Sequence, residues 1–224
     1  MGANDMKDEV RFCVMCRGYK FPKWQAKCIE KLLELPNVKL SLLIIDESYN
    51  VAKTLPVEKP LLKKFLSKIY TLLFRKYLFR AYNENLKIDA LQIVDLEHLI
   101  NSTPKIGCFV TKKGKYSEYF SREDVEKISE YELDFILRFT FNILRGEILK
   151  VPLYGVWSFH HDDEQAIRGG PPCFGEIYHG HDATGAILQK LSDELDAGVV
   201  LRKGYFNTIK TSYAANSSKS NKIP

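Results

Sequence analysis

Val10–Met15 reads VRFCVM and runs into Arg17 and Gly18, Lys23–Leu35 follows, and Val38–Ile45 reads VKLSLLII and ends at Asp46. The first and third pieces are short, nearly continuous apolar runs, the pattern of strands buried on both faces. The middle piece places Trp24, Cys28, Leu32 and Leu35 at spacings of four, four and three with charges between them, and stops at Pro36-Asn37. That is an amphipathic helix. Strand, helix, strand at this distance is a βαβ unit, and it implies a parallel sheet. A single glycine, Gly18, follows the first strand, so the glycine-rich fingerprint of nicotinamide- or flavin-binding proteins is absent. Cys13 and Cys16 stand three apart within the first strand, which turns them to opposite faces and makes them core residues rather than a redox or zinc pair.

The rest of the chain extends this unit. At 224 residues and 45% hydrophobic, it supports one sizeable core but not two comfortable domains. A charged fraction of 27% with mixed signs describes a soluble globular chain; a net charge of +5 is mild, of a sign that favours anionic ligands, and no nucleic-acid partner is expected. Five scattered cysteines make no disulfide framework and suit a reducing, cytoplasmic setting. Residues 1–9 form a polar N-terminal extension without an apolar signal core. Gly2 does not make a myristoylation site, since Met6 stands where that motif needs Ser or Thr. Residues 10–212 are expected to form one α/β domain, and 213–224, rich in Ser, Asn and Lys, a polar tail or linker.

Within that domain, about 59–82 carries a wide apolar stripe among Lys63, Lys64, Lys68, Arg75, Lys76 and Arg80. It is expected to pack as a helix on the domain or on a second copy, which leaves a homodimer open. The weaker alternative is contact with a membrane surface. Ala90–Leu96 suits a short strand, and Lys105–Tyr116 a strand and turn. Ser121 followed by Glu123 and Asp124 opens a helix. Leu133–Phe141 returns to a buried strand, Thr184–Leu191 suits another, and Val199–Leu201 a final short one. Val156–Phe159 would be a strand with His160 at its C-terminal end, the edge at which open α/β sheets bind ligands.

The segment Val151–Leu201 concentrates the chemistry, with four of the five histidines. His160, His161, Asp162, Asp163, Glu164, His179 and His181 are candidate ligands for a zinc-dependent deacylase, although neither H-E-x-x-H nor H-x-x-E-H spacing occurs. Ser158 lies two residues before His160 on one strand face, but no G-x-S-x-G elbow accompanies it.

The order Ile148–Pro152, Gly155–His160, Arg168–Pro171, Thr184-Gly185 and Leu195–Gly198 resembles the formyltransferase family, which includes enzymes acting on methionyl-tRNA, glycinamide ribonucleotide and amino sugars of nucleotide sugars. The resemblance implies a Rossmann-like open, mostly parallel sheet with helices on both faces. It also implies formyl transfer from 10-formyltetrahydrofolate, as co-substrate, to a small-molecule amine. By resemblance the catalytic residues are Ser158, His160 and Asp196: His160 a donor to the oxyanion, Asp196 the group that holds its imidazole and relays the amine's proton through water. Ile143, Leu144, Arg168, Gly169, Ser192, Asp193, Glu194 and Leu195 would shape the folate side. Two departures stand out. Ser158 occupies the place of the family's catalytic Asn, and loss of one oxyanion donor costs ~100- to 1,000-fold in rate. The loop after His160 is acidic. Hydrolysis of the formyl donor by water, or a binding module that has lost turnover, are the alternatives these departures raise.

Overall fold

The computed structural model describes residues 9–49, 69, 89–114, 116–161, 163–167, 171–194 and 197–220. The basic segment expected over 59–82 lies, except for Ile69, outside them, as do Asp162, Arg168, Gly169, Leu195 and Asp196. Among the described residues no helix is long and apolar enough to cross a membrane.

The opening βαβ unit forms as its pattern dictates. Strand β1 (Val10–Cys16) pairs in parallel with β3 (Val38–Asp46), from Val10 opposite Val38 to Cys16 opposite Ile45. Between them come the short strand β2 (Lys20–Pro22) and the helix Lys23–Leu33, which buries Ala26 and Ile29. The helix stops two residues short of Leu35, because the residue before Pro36 is biased away from the helical region; Leu35 is left exposed.

The remaining strands are β4 (Ile93–Asp95), β5 (Lys105–Cys108), β6 (Thr111–Lys113), β7 (Ser117–Tyr119), β8 (Phe135–Arg138), β9 (Ile143–Arg145), β10 (Val156–His160), β11 (Ala183–Lys190) and β12 (Val199–Asn207). Seven of the twelve strands among the described residues build the main sheet, in the order β12-β11-β10-β8-β1-β3-β5. The five from β10 to β5 are parallel, and β11 and β12 add an antiparallel edge. The chain leaves β1 in one direction toward β3 and β5 and later fills the other side with β8 and β10, so the topological switch lies between β1 and β8.

The sheet divides the core. One face gathers Cys13, Met15, Leu42, Ile44, Ile128, Ile136 and Val156, and the other Phe12, Val14, Cys16, Ile29, Leu43, Phe135 and Leu137. Cys13 and Cys16 thus fall on opposite faces, and burial pushes both thiols up, Cys16 to about 11. They are packing residues, not a redox pair. Helices cover both faces: Lys23–Leu33 packs on the second, and Arg122–Ser129 places Ile128 in the first. As its sequence suggests, Arg122–Ser129 is capped by the Ser121 hydroxyl, which accepts the Asp124 N–H at 3.0 Å. Aromatic rings cross the second face. Phe135 stacks between Phe12 (5.5 Å) and Trp157 (4.2 Å), and Trp24 meets Phe139, Phe159 and His161 edge-on.

The short strand expected over 90–96 is narrowed, and three other expectations are corrected. Residues 90–96 give a 3-10 turn, Asp89–Leu91, then β4, which pairs with β2 outside the main sheet. The strand expected over Leu133–Phe141 is regular only as β8; the chain then turns, with Phe141 at φ +64°. The last strand is nine residues long, because it pairs along the whole of β11, from Asn207 opposite Ala183 to Val199 opposite Lys190. The tail expected from Tyr213 is a helix over Tyr213–Ser220, and its Asn216 is fully buried. Asn216 donates from Nδ2 to the Cys173 carbonyl and to Thr184 Oγ1, both at 3.0 Å, and its Oδ1 accepts the Ile209 N–H at 2.9 Å.

Candidate active site

Parallel pairing of β8 with β10 and antiparallel pairing of β10 with β11 set three residues in one row across the sheet: Arg138, Ser158 and Gln189. Arg138 is the last residue of β8. His160, two positions beyond Ser158 on the same face, is the last of β10. Both therefore stand at the C-terminal edge, beside the switch point. A cavity of about 320 Å³ opens there on the first face of the sheet. Arg138, His160 and Gln189 border it with polar groups, and Phe141, Ile143, Leu144 and Leu191 with apolar ones. Ser192, Glu194 and Gly198 also line it.

The polar groups around this cavity are held by a connected set of hydrogen bonds. Arg138 donates from Nη2 and Nε to Ser158 Oγ, at 2.7 and 3.2 Å. Its Nη1 donates to the carbonyls of Phe141 and Asn142, at 3.0 and 2.6 Å, which pins the turn after β8. The same turn is held from β7 by Glu118, whose buried carboxylate accepts the Asn142 backbone N–H at 2.7 Å and its side-chain amide at 2.6 Å. Burial lowers the Arg138 pKa and the Glu118 charge opposes that; a guanidinium remains protonated throughout.

The opposite wall is fixed by Asp193, whose Oδ1 accepts the Gly146 N–H at 2.8 Å, and by Ser192, which donates from Oγ to the Glu194 carbonyl at 3.0 Å. Glycine is required at two places in this construction. A Cβ on Gly198 would come within 2.8 Å of the Lys190 carbonyl oxygen, and one on Gly185 within 2.8 Å of the Asp163 backbone nitrogen. Both belong to the motif pieces Thr184-Gly185 and Leu195–Gly198, and both serve close approach of backbone.

The candidate residues separate accordingly. His160, Ile143, Leu144, Ser192 and Glu194 border one cavity. Ser158 is buried beside it with its oxygen turned to Arg138, and Asp193 braces the wall. Arg168, Gly169, Leu195 and Asp196 lie outside the described residues. Arg138 was not singled out by sequence reasoning. Its signal was a lone cation in the apolar run Phe135–Phe141, and its meaning depends on pairing with a residue twenty positions later. Gln189 and Tyr116, which also line the cavity, had no signal of their own.

The histidines and acids considered as metal ligands disperse. Asp163 accepts from Lys203 Nζ at 2.9 Å and from the Tyr205 hydroxyl at 2.8 Å, and Glu164 accepts from Lys203 at 2.8 Å. Partial burial pushes the Asp163 carboxyl up, but its bonds to Lys203, Gln165 and Tyr205 outweigh that and leave it lowered. The acidic loop after His160 is thereby tied to the edge strand β12. His161 faces the other way, with its ring edge-on to Trp24 and its Nδ1 3.1 Å from Ser220 Oγ; burial lowers its pKa. The rings of His179 and His181 are 6.0 Å apart. Among the described residues no group of three or more His, Cys, Asp or Glu side chains is placed to hold a metal ion.

No family model matches the chain. Over 81 residues it is 33% identical to the methionyl-tRNA formyltransferase of Bacillus thuringiensis (strain Al Hakam), a stretch covering 36% of this chain and 26% of that protein. The Bacillus cereus (strain B4264) enzyme matches to the same extent. The matched stretch thus spans about a quarter of the length of these curated relatives. The fold matches a formyltetrahydrofolate deformylase from Pseudomonas syringae pv. tomato with a TM-score of 0.58 at 13% identity, over 96% of this chain and 57% of that one. It matches the phosphoribosylglycinamide formyltransferase of Campylobacter jejuni with a TM-score of 0.56 at 14% identity, over 96% and 90%. Partial sequence similarity and shared fold point the same way: the chain has the fold of these solved structures and, over 81 residues, is similar in sequence to methionyl-tRNA formyltransferases.

Proposed function

We propose that this chain transfers the formyl group of 10-formyltetrahydrofolate to the amino group of a small molecule, an amino sugar or nucleotide sugar. The observation that carries the reading is His160, set at the end of β10 on the border of a cavity that Ile143, Leu144 and Leu191 make apolar on one side. A flat heterocycle suits such walls, while His160 and its polar neighbours face a reacting carbonyl. In this role His160 donates a hydrogen bond to the formyl oxygen as negative charge develops there. Asp196 orients the imidazole and takes part in moving the amine's proton through water, and Arg168 and Gly169 belong to the loop beside the reacting groups, on the folate side. The reaction is cytoplasmic in this reading, and no nucleic acid takes part.

The test is turnover of 10-formyltetrahydrofolate by the purified chain, with and without a panel of amino sugars and their nucleotide derivatives, products being identified by mass. We expect an N-formyl product with at least one acceptor, and His160→Ala slowed ~100- to 10,000-fold. Formate released equally with and without amine would make the protein a hydrolase of the donor. Absence of both products with every acceptor would leave a binding module and sink the transfer reading.

A further inference from the structure

We propose that the guanidinium of Arg138 is the cationic donor to the oxyanion, in the place that formyltransferases give to an Asn, and that Ser158 is the positioning residue that aims it. The inference rests on the formyl-transfer reading above and adds a residue to its machinery.

An arginine has five N–H donors in a planar fork. Four are committed here: Nε and one Nη2 hydrogen to Ser158 Oγ, and the two Nη1 hydrogens to the carbonyls of Phe141 and Asn142. The fifth, on Nη2, has no acceptor among the described residues, and the side chain borders the same cavity as His160. The nearby carboxylate of Glu118 is engaged by Asn142 and, at 3.8 Å, by Lys112 Nζ, and makes no direct bond to the guanidinium. A mostly buried cation with one donor left over at a cavity wall is built for an anionic oxygen.

The substitution at position 158 explains the geometry. Arg138 and Ser158 are register partners on adjacent strands, so their side chains share one space. A carboxamide at 158 would fill the volume into which the Nε–Nη2 edge fits. A hydroxyl leaves room for that edge and supplies two lone pairs to hold it. The exchange trades a neutral donor for a charged one. The chemistry is otherwise unchanged: the amine nitrogen bonds to the formyl carbon, and the π pair moves to oxygen as an alkoxide held by Arg138 and His160. On collapse the bond to N10 breaks with its pair on N10, which takes up the proton lost by the amine. Arg138 stays protonated and titrates at no point in the cycle.

The experiment compares Arg138→Ala, Arg138→Lys, Ser158→Ala, Ser158→Thr and the double variant Arg138→Ala/Ser158→Asn in the full chain. Arg138→Ala should lose ~100- to 1,000-fold in kcat with the KM for 10-formyltetrahydrofolate little changed and the pH profile keeping its shape. Added guanidinium ion should restore part of the rate, which only a folded protein permits. Ser158→Ala should lower kcat and Ser158→Thr recover it, and the double variant should regain activity over Arg138→Ala. Retention of wild-type kcat by Arg138→Ala overturns the proposal, as does a double variant no better than Arg138→Ala. If Arg138→Ala does not fold, Arg138→Lys and the double variant decide in the same way. If the wild type turns over no substrate, the transfer reading fails. Titration with sodium formate then decides for Arg138: binding weakened at least tenfold in Arg138→Lys keeps the anion site, and unchanged binding removes it.

Discussion

Replacing Asn216 with alanine removes three hydrogen bonds at the point where the helix Tyr213–Ser220 meets the sheet. The Cys173 carbonyl loses the Asn216 amide, the Ile209 N–H loses its acceptor, and Thr184 Oγ1 keeps Thr208. An orphaned buried polar group costs about 1–3 kcal/mol. The vacated space is polar enough to admit a water, which returns part of that. The expected loss is about 3 kcal/mol in urea-induced unfolding at neutral pH. Asn216→Asp sharpens the test because it keeps the shape. The bond from Ile209 N–H survives, but a carboxylate oxygen now faces the Cys173 carbonyl where Nδ2 donated. This variant should lose at least as much as alanine. The introduced carboxyl has a folded-state pKa above its unfolded value of about 3.9, so the relative penalty is absent below that pH and grows as pH rises through the folded value. Unfolding curves at neutral and mildly acidic pH measure both points. An alanine variant within about 0.5 kcal/mol of wild type, or an aspartate variant as stable as wild type at neutral pH, would refute the buried network.

Two further predictions concern the loop after β10 and its surroundings. His161 has a pKa lowered by burial, so the folded chain binds fewer protons there than the unfolded one. Its stability contribution is complete above the unfolded pKa of about 6.5 and declines as pH falls below it; the slope of thermal stability between mildly acidic and neutral pH should flatten in His161→Gln. Gly185→Ala forces a methyl against the Asp163 backbone nitrogen, and should cost about 1–3 kcal/mol by urea unfolding while Gly107→Ala, whose Cβ would meet only the Glu47 side chain at 3.1 Å, costs less. Equal losses at the two glycines would argue against the close approach.

The parts of this fold that were legible in the sequence are those whose burial is two-sided. Phe12–Cys16 and Leu42–Ile44 are apolar without interruption because both faces of β1 and β3 are covered, so the run itself announces a central strand. His160 could be placed because β10 has a definite end. The edge strand β12 was not legible beyond its first residues. It presents Arg202, Lys203 and Tyr205 along one partner strand, and its length is set by β11 rather than by its own pattern. The helix Tyr213–Ser220 was misread because its anchor is an amide, and composition counts Asn216 as solvent-seeking. Arg138 and the pairing of Asp163 with Lys203 depend on residues twenty and forty positions apart, a distance at which only the register of the sheet says who meets whom.

The aromatic ladder has a practical consequence for anyone studying this molecule by optical methods. Both tryptophans of the chain, Trp24 and Trp157, belong to it, on the side of the sheet turned away from the cavity. Their emission is a gauge of whether that side remains assembled, and neither ring lines the cavity. A silent intrinsic signal during a ligand titration would carry no information about occupancy. The absorbance or fluorescence of a pterin is the proper reporter for the front, and the two together would read the faces of one sheet as separate channels.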